Sequence, residues 1–283
     1  MLFPFDLWKA LRWVILAYSL RLYNLFIKTN NTMDFKNIIN RNTNHLSIND
    51  DFWFPGRWVG GITMILAPLL FLIGMLLRIQ YHFFFPQQLQ AFQDNPTLMI
   101  TAYNFFIVGN IFLFPAILTL VRLNGKKKGQ ISLWGGMFVI LGLFARTFQG
   151  GINHLAFQLV DLHGLDMATK TIADSYGAFN LIATLNGTIM FGWLILAIGS
   201  YLSGTLGLFK SICLGLMAAL MSGVLKGTSL FSVVAASGLC IALIPLGFKV
   251  LNQGEKPSLS VVGSWAILIV VLTALLYFLG QAG

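Results

Sequence analysis

The chain has 283 residues, of which 57% are hydrophobic and only 10% charged, and its formal net charge is +9. Soluble domains carry about 25% charged residues; with a mean hydropathy of +0.79, a soluble fold of this chain would expose apolar patches beyond the usual limit. The composition excludes a soluble globular protein, and the long continuous apolar runs argue against an alternating transmembrane barrel. The predicted class is all-α, a polytopic transmembrane helical bundle.

Residues 1–29 read as a helix with an apolar body, interrupted by Lys9, Arg12 and Arg21. An amphipathic helix lying in the membrane interface is predicted, with a true crossing as the alternative. The start, MLFPFDLWKALRW, lacks the basic opening and small-residue cleavage site of a signal peptide. Residues 30–56 are polar and rich in Asn, forming a linker or small cap. The chain therefore divides into an N-terminal part, 1–56, and a transmembrane part, 57–283.

Seven apolar stretches follow, at roughly 58–79, 98–121, 131–160, 177–202, 206–225, 228–248 and 258–280. Each is near the length that crosses about 30 Å of hydrocarbon. Pro68, Pro115 and Pro245 lie inside spans, where membrane helices tolerate kinks if neighbours satisfy the freed carbonyls.

The positive charge does not point to nucleic acid. It gathers in the N-terminal region, in the loop holding Lys126, Lys127 and Lys128, and in the loop holding Lys249 and Lys256. If every stretch crosses once, all three lie on one side, which the positive-inside rule makes cytoplasmic. A bacterial inner-membrane location follows, with the N-terminal region inside and the C-terminus outside. Arg78 and Lys226 each break this pattern singly. Expected partners are membrane lipids and, as a second class, other membrane subunits.

Motifs are scarce. Cys213 and Cys240 fall within apolar runs and read as buried spectators. Haem, zinc, P-loop and dinucleotide signatures are absent, so the cofactor is left unnamed. His82, His154, His163 and Asp161 are too scattered in sequence to predict a metal site.

One stretch stands out: RTFQGGINHLAFQLVD, from Arg146 to Asp161. On a helical wheel Arg146, Gln149, Asn153, His154, Gln158 and Asp161 fall within about half the circumference, and Phe148, Ile152, Leu155 and Leu159 take the other side. Charge facing bare hydrocarbon is expensive, so this side is expected to face protein or water. Counting the third stretch from Ile131 places Arg146 near mid-membrane and Asp161 at the outer surface. The predicted feature is a polar wall of an outward-opening cavity, with Arg146 at its floor. Asn104 from the second span and Asn180 from the fourth complete the candidate ligand-binding set.

Side-chain chemistry suggests roles. The Arg146 fork suits a carboxylate or phosphate, and His154 can donate, accept or change charge near neutral pH. Polar residues also hold membrane helices together, at about 0.6 to 2 kcal/mol per bond, so packing competes with binding. Three classes of function are compatible. The favoured one is a membrane protein holding a small, lipidic or anionic ligand, or a partner subunit, in that cavity. The second is a membrane enzyme acting on a lipid-linked substrate, with His154 and Asp161 qualifying by type alone. The third is an accessory subunit, using Arg146 or the aromatic loop Phe83, Phe84 and Phe85 as its contact.

Overall fold

The computed structural model describes residues 53–175, 181–220, 223–254 and 257–281, all within the unit Trp53–Gly283. The predicted N-terminal interfacial helix, most of the polar linker and Asn180 lie outside the described residues. The described elements are all helical.

In chain order, α1 spans Arg57–Leu76 and α2 is a short helix, Phe85–Asp94, with a proline in its first turn. Next come α3, Pro96–Gly125, and α4, Lys127–His163. The chain leaves helical geometry between them only around Lys128 (φ −135°, ψ 55°). Gly136 lies against Val121, and Gly150 against Ile107, so α3 and α4 fold back as an antiparallel hairpin. Gly164 takes φ +79° just beyond α4, a conformation glycine adopts without a steric penalty. Then follow α5, Leu165–Ser175, and α6, Leu181–Leu202. The next helix, α7, covers only Leu208–Gly215 and is extended by a 3-10 turn, Leu216–Ala219. The last two are α8, Leu230–Leu251, and α9, Leu259–Gln281.

Six helices are long and apolar enough to cross a membrane: α1, α3, α4, α6, α8 and α9. The sequence predicts seven crossings, and the difference is the stretch 206–225. It is helical only to Ala219; Leu220 is already extended (ψ 111°), and regular structure resumes at Leu230. The segment still runs from one end of the bundle to the other. Near its start Ser203 Oγ donates to Asn124 Oδ1 (3.1 Å), and near its finish Gly227 N donates to Phe83 O (2.8 Å). Hydropathy counts apolar length and is blind to this break. Gly223, Gly227 and the polar run Lys226, Thr228 and Ser229 disfavour a helix locally.

Two ends can be told apart. Arg57 lies at one, where α1 meets the C-terminal turns of α8 through Gly61, Gly247 and Leu251. His82 lies at the other. The main core fills the bundle between them, centred on Phe71, Leu113, Leu143, Trp193 and Leu239. A second core, of Leu89, Phe92, Tyr103, Phe157, Ile172 and neighbours, sits at the His82 end. Helix length explains it. With 30 and 37 residues, α3 and α4 run about 45 and 55 Å, against about 30 Å of hydrocarbon. The excess projects at the His82 end, where α2 and α5 pack against it and Phe92 stacks on Phe157 (4.5 Å).

The hairpin is pinned to α1 by backbone contact. A Cβ on Gly74 would stand 2.6 Å from Phe106 N, and one on Gly109 2.6 Å from Phe71 N. Small residues let helices approach where no hydrophobic force operates between them. By contrast, α9 has no buried residue and packs against none of the other described elements. Gly109→Ala is therefore expected to destabilise the bundle by about 1–3 kcal/mol through overpacking. Gly263→Ala in α9, which meets nothing within 4 Å, should leave thermal melting in detergent unchanged.

Candidate functional site

The polar residues of α4 occupy two stripes. Successive residues turn by about 100°, so Arg146, Gln149 and Asn153 share one stripe, and His154, Gln158 and Asp161 a second beside it. The structure treats the two differently. Arg146, Gln149 and Asn153 are 5%, 8% and 6% exposed and line a cavity inside the bundle. Gln158 and Asp161 are exposed and His154 is half-buried. The His154 Nε2 and Asn104 Oδ1 atoms lie 2.9 Å apart on the outside of the hairpin, and neither residue borders the cavity.

The first stripe faces the broken crossing. Arg146 Nη2 donates to the Leu220 carbonyl (3.3 Å), where the helix ends. Asn153 Oδ1 accepts from Leu225 N (2.7 Å). Leu225 is fully buried and takes a left-handed conformation (φ 50°), which costs a non-glycine residue about 1–2 kcal/mol. Gln149 Nε2 donates to Asn186 Oδ1 on α6 (2.9 Å). At the segment's far end Arg78 Nε donates to Thr228 Oγ1 (3.2 Å). Ser229 then caps α8 reciprocally with Ser232, satisfying donors that a helix start leaves open. Non-helical backbone at membrane depth needs such partners.

These contacts leave something over. The cavity between α1, α3, α4, α8 and the broken segment is also lined by Arg78, Phe106, Lys226 and Ser232. Arg78 is only 3% exposed and lies over the Tyr103 and Phe106 rings, at 4.3 and 4.8 Å. Lys226 approaches the Phe83 ring to 5.5 Å. Arg146 Nη1 is buried without a hydrogen-bond partner among the described residues. The acidic residues among those described, Asp94, Asp161, Asp166 and Asp174, are all exposed, and none lines the cavity. Ring faces stabilise a buried cation by about 2 kcal/mol without cancelling its charge. The cavity volume is about 40 Å³, room for roughly three water-sized groups.

Arg146 lies fifteen residues beyond Ile131, about 22 Å along the helix. Its guanidinium is 5.9 Å from the Phe71 ring, and Phe71 stands about 21 Å along α1 from Arg57. Both routes put Arg146 nearer the His82 end of the bundle than the Arg57 end.

A second cleft, about 630 Å³, lies between α6 and α7, where a short helix packs beside a full-length one. Leu194, Ile198 and Ile212 dominate its wall and no charged group enters it. It offers room without chemistry. The Arg146 cavity has the reverse character: small, and set with cations. Among the described residues its lining has no carboxylate, imidazole or thiol, and no three His, Cys, Asp or Glu side chains gather as a metal site.

Sequence reasoning missed Arg78, Lys226 and Ser232 as cavity residues. A signal for two of them was present: Arg78 and Lys226 are the cations that break the topology pattern. No family model, curated protein or solved structure matches the chain. Asn153→Leu should cost about 1–3 kcal/mol by leaving the buried Leu225 N–H without its acceptor, whereas His154→Leu should cost less than half as much; thermal melting in detergent compares them.

Proposed function

We propose that this multi-pass membrane protein holds the anionic group of a ligand in the cavity between Arg78, Arg146 and Lys226. One observation carries the reading. Among the described residues, two arginines, 3% and 5% exposed, border one cavity without an acidic neighbour, and the buried Nη1 of Arg146 has no hydrogen-bond partner. Burying a cation costs several kcal/mol unless a counter-charge and hydrogen bonds offset it. The fork of an arginine fits a carboxylate or phosphate oxygen pair. Topology, from the distribution of Lys and Arg, puts Arg57 on the cytoplasmic side of a bacterial inner membrane and opens the site outward.

The enzymatic alternative has less support. Among the described residues the lining holds no carboxylate, imidazole or thiol, the groups most often used for proton transfer. Membership in a larger membrane assembly has one observation in its favour, the wholly unburied apolar surface of α9.

The test is a melting titration of the purified protein with acetate and with inorganic phosphate. Bound ligand at about 100 times its Kd raises stability by about 2.7 kcal/mol. The wild type is expected to gain stability with at least one of these anions, beyond a chloride control of equal ionic strength. Arg146→Gln should lose that gain. Equal curves for both anions and chloride in the wild type would remove the anion-binding reading.

A further inference from the structure

We infer that the cleft between α6 and α7 holds one acyl chain of an anionic phospholipid. This site is separate from the Arg146 cavity and does not depend on anion binding there. One wall is α6 from Met190 to Tyr201; the other is α7 and its 3-10 turn, from Leu208 to Ala219. Each wall advances eleven residues, about 16 Å. Half of the hydrocarbon layer is about 15 Å thick, so the cleft runs the depth of one leaflet. The two helices meet along its floor, where a Cβ on Gly215 would stand 3.5 Å from the Ala197 Cβ. Beyond Ala219 the chain turns extended and Leu220 enters the main core, which leaves the space beside α6 uncovered. Leu194, Ile198 and Ile212, exposed on the surface of the bundle, form the apolar sides.

The polar groups of the cleft gather at one end. Ser200 and Ser203 bond Asn124 at the finish of α3, so the end of α6 and the start of α7 both lie at the Arg57 end. Tyr201 lines the cleft there and is exposed; tyrosine, with its apolar ring and polar tip, is enriched at the headgroup level. Ser211, the fourth residue of α7, lines the cleft about 5 Å below the helix start. It is 4% exposed, and its Oγ has no hydrogen-bond partner among the described residues. The ester carbonyl that joins a lipid's head to its chain supplies an acceptor at this level. Lys127 Nζ reaches the turn after α6, 4.0 Å from where Gly204 would carry a Cβ. The acidic side chains among those described, Asp94, Asp161, Asp166 and Asp174, belong to α2, α5 and the finish of α4, at the opposite end. A lysine at the mouth without an acidic neighbour favours an anionic headgroup.

Volume separates a lipid chain from a protein helix. A helix segment 16 Å long and about 10 Å across fills roughly 1,250 Å³. The cleft holds about 630 Å³, half of that, so a helix from α9 or from a second copy seats only partly. A methylene chain is thinner and lies between the walls along their whole length. Its burial against Leu194, Ile198 and Ile212 supplies dispersion contacts on both sides, which a chain in fluid lipid does not keep.

The full-length protein is reconstituted in nanodiscs of phosphatidylcholine with and without phosphatidylglycerol, extracted, and read by native mass spectrometry. One retained phosphatidylglycerol per chain is expected, favoured over phosphatidylcholine about fivefold; one lysine near an anionic headgroup is worth about that factor. Ala219→Phe, at an exposed position on the α7 wall, should fill the space and lower retention at least about tenfold. Ile198→Trp fills the same cleft from the α6 wall and repeats the test if the first variant fails to fold. Lys127→Gln should keep a lipid bound and lose the preference for phosphatidylglycerol. Val234→Phe, exposed on α8 and away from the cleft, should keep both retention and preference. No retained lipid in the wild type, or retention unchanged by the two cleft-filling variants, overturns the site. Equal retention of the two lipids overturns the anionic headgroup. A lipid-free dimer puts a helix of a second copy in the cleft and overturns the acyl chain as its occupant.

Discussion

The fold depends on how backbone that leaves the helix inside an apolar layer finds hydrogen-bond partners. At Leu220 and from Gly223 to Ser229 no helix supplies them. They come from side chains, Arg146 on the Leu220 carbonyl and Asn153 on the Leu225 amide, while Arg78 ties the segment down through the Thr228 hydroxyl. The Phe83 carbonyl adds a backbone contact with Gly227. Each of these would be an ordinary helix position in an unbroken crossing. The polar residues of α4 are thus the counterpart of an irregularity elsewhere in the chain. The cavity opens because a segment without regular side-chain spacing cannot fill the space beside a straight helix.

Much of this architecture is legible in the sequence. Apolar length marks α1, α3, α4, α6, α8 and α9, because crossing a hydrocarbon layer sets a minimum run that few other structures need. The run 206–225 has the same average hydropathy signature and a different structure. Its break comes from tertiary partners on α4, and no local window contains them. Likewise the excess length of α4 is visible in the sequence, but its placement at the His82 end is decided by the packing of Phe157 and Val160 against α2 and α5.

The candidate site was half legible. A helical wheel separates Arg146 from Phe148, yet it groups Arg146 with His154, which stands on the neighbouring stripe. Only packing distinguishes a stripe facing Leu220 from one facing Asn104. Arg78 and Lys226 looked like minor exceptions to a charge rule. Once the ends of α1 and α8 are brought together, those exceptions border the same cavity as Arg146. A cation on the disfavoured side of a membrane protein is worth reading as a clue to an anion.

The backbone contact at Gly74 and Gly109 leaves α1 and the hairpin no slack. The unwound segment, fastened by side chains, is the softer partner. Arg146 divides its donors between that segment and the cavity, with Nη2 on Leu220 and Nη1 without a partner among the described residues. Whatever occupies the cavity therefore draws on the same guanidinium that braces the broken crossing. Occupancy and local order are thermodynamically linked: a ligand that fixes the plane of the Arg146 fork also fixes the point where the helix stops. The irregular stretch before α8 would then report whether the cavity beside Arg146 is filled.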